Sequence, residues 1–144
     1  MNIGHFYFIK PDYFTHPELM QSANHRPCFF AFKERNVMWL VPISSKISKF
    51  ERVYKDKINR YGKCDTIDFC NILGHKKAVL IQNMFPTNEE HILNEYLDEH
   101  DNPVQLTDKT RKRIIHKAKK VLALHRNGYG LIFGDVLEIE KKLL

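Results

Sequence analysis

Apolar residues along this chain recur with two different periods. Residues 28–33 and 37–43 are near-continuous apolar runs separated by Glu34-Arg35-Asn36. That pattern predicts a β-hairpin with charged residues at its tip. From residue 45 to 61 the period lengthens. Ile47, Phe50, Tyr54, Ile58 and Tyr61 fall three or four apart, and the opposite face is mostly Lys and Arg, so an amphipathic helix is expected. Residues 5–9 predict a short first strand, and residues 11–21 a turn or short helix opened by Pro11-Asp12. Residues 66–73 and 77–82 predict two strands around Gly74-His75, the second ended by Asn83-Met84-Phe85-Pro86. Residues 95–99 and 104–106 flank the turn-forming Asp101-Asn102-Pro103 and suggest a small hairpin.

Thr107 is a good N-cap for a long helix over 108–126. Ile114, Ala118, Val121, Leu122 and His125 form its buried stripe, and Gly128 and Gly130 end it. A last helix begins near Asp135. Asp135 and Glu138 at its start and Lys141 and Lys142 at its end complement the helix dipole. There is no internal repeat, low-complexity tract or Gly/Ser linker. The pattern adds up to one α+β domain spanning 1–144, an antiparallel sheet with helices packed on it.

Composition sharpens this picture. The chain has 144 residues, is 43% hydrophobic and carries a formal net charge of +6. Its size allows a real core, and its charge favours an anionic partner, nucleic acid being the commonest. The longest apolar run, 37–43, is far short of the ~20 residues that span a bilayer, so no membrane partner is expected. The start Met1-Asn2-Ile3-Gly4-His5 lacks a basic n-region and a cleavage pattern, so no secretory signal is expected. Three cysteines, Cys28, Cys64 and Cys70, fit reduced thiols in a cytoplasm better than a disulfide framework.

The candidate chemistry sits where the apolar strand stops. In Val41-Pro42-Ile43-Ser44-Ser45-Lys46, two hydroxyls and an ammonium follow directly on a buried element. A basic segment continues with Lys49, Arg52, Lys55, Lys57, Arg60 and Lys63. Small donors on a rigid element, surrounded by cations, suit a phosphodiester. RNA carries its own nucleophile, the 2′-hydroxyl. Fixed donors to the non-bridging oxygens and a nearby cation could therefore support strand cleavage. The simpler reading is that Ser44 and Ser45 cap the following helix.

Among eight histidines, His25 in Asn24-His25-Arg26-Pro27 is best placed for proton transfer, because it precedes the hairpin whose second strand ends at Ser44. His116 and His125 belong with the long helix and fit structural roles. That helix carries Lys109, Arg111, Lys112, Arg113, Lys117, Lys119, Lys120 and Arg126 with Asp108 as its one acid. Such crowding is unfavourable unless an anion neutralises it. Lys49, Arg52, Arg111, Lys112, Arg113 and Lys117 are the candidate RNA-binding residues. Cys64, Cys70 and His75 lack zinc-site spacing, and Cys70 fits a buried thiol. With no P-loop, dinucleotide fingerprint or paired-carboxylate motif, no metal or cofactor is expected.

The order of motifs resembles the toxins of type III toxin–antitoxin systems, the ToxN/AbiQ/CptN family, and looks closest to the CptN branch. The residues that carry the resemblance are His25-Arg26-Pro27-Cys28-Phe29, Trp39-Leu40-Val41-Pro42-Ile43-Ser44-Ser45-Lys46, Phe69-Cys70-Asn71-Ile72, Ala78-Val79-Leu80-Ile81-Gln82-Asn83-Met84-Phe85-Pro86 and Asp135-Val136-Leu137-Glu138-Ile139-Glu140. The resemblance implies a strongly bent antiparallel sheet similar to the MazF/Kid toxins. It also implies metal-independent endoribonuclease activity leaving a 2′,3′-cyclic phosphate and a 5′-hydroxyl. The implied partners are cellular RNA as substrate and a small repeat-derived pseudoknot RNA as antitoxin, which the toxin processes and joins in a closed assembly, with a role in phage defence. It places the catalytic serine on Ser45 with Ser44 as its hydroxyl neighbour. It leaves the family lysine between Lys46 and Lys49. The family's tyrosine or other polar residue before the first core strand has no clear equivalent; Asn24, His25 or Arg26 would take its place, and His25 is preferred.

These readings converge on an RNA-cleaving toxin with Ser45, Ser44, Lys46 and His25 as its catalytic group. Two rivals remain at the level of sequence: a non-catalytic basic RNA-binding protein, and a DNA-binding repressor laying the long basic helix in a major groove.

Overall fold

The structure is a computed structural model that describes residues 1–15 and 23–144. Its centre is the expected hairpin. Strand β2 (Cys28–Glu34) pairs with β3 (Val37–Ser44) across a two-residue loop, Arg35 and Asn36, in which Arg35 takes a positive φ of 56°. Every residue of β3 is buried, which explains why its sequence is apolar throughout rather than alternating. Between Phe30 and Phe32 the register slips, leaving Ala31 as an extra residue opposite the Leu40–Trp39 step. Such a bulge bends a strand and increases its local twist.

Among the described residues the sheet has seven strands, in the order β4 (Asp68–Ile72), β5 (His75–Val79), β3, β2, β1 (Phe6–Ile9) and β7 (Ile92–Glu95), with β6 (Phe85–Thr87) also on β3. Strand β1 lies between β2 and β7. Strands β4 and β5 form the expected second hairpin, turning at Leu73 and Gly74. All pairings between the strands are antiparallel.

Two strands share the far edge of β3. Its first half, Met38 to Leu40, pairs with β6, while Ile43 and Ser44 pair with Val79 and Ala78 of β5. Pro42 sits at the handover, where a missing ladder donor costs least, and its carbonyl accepts from Leu80 N–H at 3.0 Å. The second strand expected over 77–82 therefore ends early. Ile81–Asn83 is a short 3-10 helix that carries the chain from β5 across to β6.

Helix α1 (Ile47–Tyr61) ends on Gly62, whose φ of 76° supplies the left-handed cap. Helix α2 (Asp108–Arg126) starts at Thr107, whose Oγ1 accepts from Thr110 N–H. Helix α3 (Val136–Leu143) follows Asp135. The main core joins β1, β2, β3 and β6 to the stripe Ile114, Ala118, Val121 and Leu122 of α2 and to Val136 and Ile139 of α3. A second cluster, Phe50, Cys64, Ile67, Ala78 and Leu80, seats α1 beside β5.

Other expectations shift. The small hairpin over 95–106 reduces to a single bridge between Leu97 and Pro103, and the strand before it begins earlier, at Ile92. The expected turn or short helix over 11–21 is a 3-10 helix at Pro11–Thr15, and its remainder lies outside the described residues. All three cysteines are buried and unpaired.

Candidate functional site

Strand register places the candidate site. Cys28 pairs with Pro42, and Ile43 N–H donates to the Pro27 carbonyl at 3.2 Å, so the turn at residues 24–27 lies beside the end of β3. His25 in that turn has φ of 62°, a left-handed conformation, and the Arg26 N–H closes the turn on Ala23 O. On the other edge of β3, Ser44 pairs with Ala78, which brings Lys77 alongside. Tyr96 arrives from beyond β7, its N–H bonded to the Phe6 carbonyl at 2.8 Å and its ring edge-on to Phe8. The result is an open cavity of about 230 Å³ lined by His25, Arg26, Pro27, Ile43, Ser44, Ser45, Ile72, Lys77 and Tyr96.

Within it the two serines differ. Ser44 is buried at 1% exposure and its Oγ accepts the Lys46 N–H at 3.2 Å. Ser44 thus shapes the turn into α1, but neither serine is the helix cap that the simpler reading expected, because Lys46 holds that position with no side-chain cap bond. Ser45 is exposed on the cavity wall. Its backbone carbonyl accepts from Ile47 N–H, and no hydrogen bond ties up its hydroxyl among the described residues.

Lys46 is the N-cap residue of α1 and lines a neighbouring depression, not the Ser45 cavity. That second cavity, about 480 Å³, is lined by Arg26, Lys46, Lys49, Phe50, Val53, Lys57, Leu80, Gln82, Asn83 and Phe133. Arg26 belongs to both cavities and joins them. Among the described residues no carboxylate pairs with Arg26, Lys46, Lys49, Arg52 or Lys77. These cations are uncompensated, a condition that favours an incoming anion.

The long helix tells a different story. Arg113 and Lys117 both engage Asp68, and Lys120 pairs with Asp65 at 2.9 Å. Burial alone would raise the Asp68 pKa. Hydrogen bonds from Arg113, the Phe69 N–H and Lys117 overrule it and hold the carboxyl below its ordinary value. The Lys120 hydrogen bond is the main cause holding Asp65 low. Arg126 bridges Glu34 and Glu140, tying β2, α2 and α3 together. Arg111 pairs with Asp108 and packs its stem against Gly4, where a Cβ would approach Arg111 Cδ to 2.6 Å. Arg113 and Lys117, expected to face RNA, each pair with Asp68, and Arg113 remains exposed while so engaged. The anions that relieve the crowded helix come from the chain itself. Lys112 stays exposed without a carboxylate partner among the described residues.

His125 is structural, as its place on the stripe implied. Its Nδ1 accepts the N–H groups of Leu131 and Ile132, both at 3.2 Å, which fixes that nitrogen as the unprotonated one. Sequence reasoning missed Lys77 and Tyr96, and held Arg26 only as an alternative to His25. Lys77 and Tyr96 reach the site through long-range strand pairing that no local pattern marks. The resemblance left a tyrosine unplaced before the first core strand, whereas the cavity takes Tyr96 from far along the chain.

No family model matches the sequence, and no curated protein matches it. A solved structure does share the fold. It is that of AbiQ, described as a lactococcal anti-phage endoribonuclease belonging to the type-III toxin–antitoxin system. The TM-score is 0.71 at 14% sequence identity, and the match covers 96% of this chain and 94% of that one. The α+β fold with its antiparallel sheet is AbiQ-like over nearly its whole length.

Proposed function

We propose that this protein is an endoribonuclease toxin of a type III toxin–antitoxin system, acting without a metal and held inactive by a small antitoxin RNA. The observation that carries the reading is the exposed Ser45 at the end of a rigid buried strand, flanked by Arg26 from one edge and Lys77 from the other. The AbiQ-like fold supports it.

In the proposed reaction the substrate's 2′-oxygen attacks the adjacent phosphorus while His25 takes its proton. The bond from phosphorus to the 5′-oxygen breaks, and that oxygen leaves with a proton from Lys77. Ser45 and Arg26 donate to the non-bridging oxygens as charge builds on them, and Tyr96 orients the ribose. Fixed donors of this kind typically contribute about 3–4 kcal/mol each to the barrier. The products are a 2′,3′-cyclic phosphate and a 5′-hydroxyl. In this reading the charge-stabilising role first expected of Lys46 falls to Arg26, which shares the cavity with Ser45. Ser44 supports the turn, and Lys46, Lys49 and Arg52 hold the RNA backbone. A repeat-derived pseudoknot RNA in a closed assembly is the proposed antitoxin, and the cytoplasm the proposed site of action.

Induced expression with and without the candidate antitoxin RNA tests the reading in cells. Growth arrest that the RNA relieves, and that Ser45→Ala abolishes, is the expected result. Arrest undiminished by Ser45→Ala contradicts it. A non-catalytic RNA-binding protein predicts bound but uncut RNA.

A further inference from the structure

The second cavity has features a phosphate-binding surface does not need. Phe133 lines it at 52% exposure, an uncovered aromatic ring beside the unpaired cations Arg26, Lys46 and Lys49. The ring does not stand on a loose loop. Ile132 before it and Val136 after it are buried in the main core. The Phe133 N–H donates to the Gln82 carbonyl at 2.8 Å, and His125 holds the two preceding N–H groups. A pinned, exposed aromatic is a poor choice for solubility and a good one for stacking.

The apolar lining of Phe50, Val53 and Leu80 is interrupted by two amide side chains. These are Gln82 and Asn83, which are 8% and 9% exposed. Lys57 Nζ donates to Gln82 Oε1 at 3.3 Å and to Thr66 Oγ1 at 2.7 Å. A lysine donor fixes which end of the Gln82 amide is oxygen, so the amide NH₂ remains as a donor of defined orientation. The volume of about 480 Å³ lies within the usual range of small-ligand sites.

We infer that this cavity is a nucleobase subsite for the residue flanking the scissile linkage, with Phe133 as the stacking platform and the Gln82 and Asn83 amides contacting the base edge. Arg26 lines both cavities, so one strand can pass from the Ser45 site into the subsite along a continuous line of positive charge. The inference rests on the endoribonuclease reading and deepens it. It makes this cavity a source of cleavage preference that the Ser45 site alone does not supply.

The test uses the full chain, with Phe133→Ala, Phe133→Trp and, as a control on the same loop, Tyr129→Ala. Tyr129 is 69% exposed and lies outside the cavity lining. The binding probe is a fluorescent single-stranded RNA 12-mer of randomised sequence with 2′-fluoro ribose throughout, which has no nucleophile. Cleavage is followed on the same pool with ordinary ribose. Phe133→Ala is expected to weaken probe binding about tenfold and to raise KM with little change in kcat, as loss of one stacked base should. Phe133→Trp is expected to restore both, and Tyr129→Ala to change neither. Parental binding and cleavage with an unaffected Phe133→Ala overturn the subsite alone, and would leave Phe133 as a contact for some other macromolecule. A parental protein that neither binds nor cuts either pool overturns the subsite and the endoribonuclease reading together.

Discussion

Arg113 clamps Asp68 through two parallel hydrogen bonds, Nε to Oδ2 at 2.9 Å and Nη2 to Oδ1 at 3.2 Å. Lys117 Nζ reaches the same Oδ2 at 3.1 Å. The carboxylate sits at the start of β4 and both cations on α2, so this cluster ties the most basic helix to the β4–β5 hairpin that carries Lys77. Asp68→Asn keeps the size of the side chain but removes the charge that two cations require. It is expected to destabilise the fold by about 2 kcal/mol, read as a lower denaturation midpoint in urea. The pH sign follows from the depressed carboxyl. Its contribution is fully present above the unfolded value near ~4 and is lost as pH falls through the lower folded value. The acid limb of the stability curve should therefore be steeper in the parent than in Asp68→Asn. Identical acid limbs would show that the cluster contributes nothing.

The two lysines near Ser45 separate by kinetics. Lys77 shares the serine's cavity and Lys46 lines the adjoining one. Lys77→Met is expected to lower kcat about 10²- to 10⁴-fold, the usual cost of losing a positioned proton donor. Lys46→Met is expected to act mainly on KM and to flatten its salt dependence. The reverse pattern would return the catalytic lysine to Lys46.

His125 governs the loop that presents Phe133. His125→Ala leaves the N–H groups of Leu131 and Ile132 without their acceptor. A cost of about 1–3 kcal/mol is expected in thermal or denaturant unfolding, together with faster amide exchange at those two positions. Unchanged exchange at residues 131 and 132 would show that the loop is held by other contacts.

The cysteines are expected to be inert in the folded protein. Burial pushes the Cys28 thiol up strongly and the Cys70 thiol up to about 12, and Cys64 is buried as well. Disulfide reagents react with thiolate, so at neutral pH labelling should wait on unfolding. One thiol that labels as fast in native buffer as in denaturant would contradict this.

Much of the fold was legible because its strongest elements are local. The hairpin of β2 and β3 showed in two apolar runs and a charged tip, and Thr107 marked the start of α2. The buried stripe of α2 was visible in its spacing. The edge-sharing on β3 was not. Residues 80–82 look like more strand, but Pro42 opens a gap in the ladder and the chain needs a 3-10 helix to cross it. The site divides in the same way. Ser45 and His25 flank one hairpin and could be brought together from sequence, whereas Lys77 and Tyr96 arrive by pairing between distant segments. The basic helix misled for an equivalent reason, since Asp65 and Asp68, the acids that neutralise it, lie more than 40 residues away in sequence.

The decisive measurement is end-group analysis of RNA incubated with purified protein in excess chelator, for the parent and for Ser45→Ala. Ser45 is exposed, so its substitution should leave folding intact. Fragments bearing 2′,3′-cyclic phosphates and 5′-hydroxyls from the parent, reduced at least about a hundredfold by Ser45→Ala, are the predicted result. Intact RNA with the parent, or equal cleavage by both proteins, would contradict a serine-assisted attack by the ribose on its own phosphodiester.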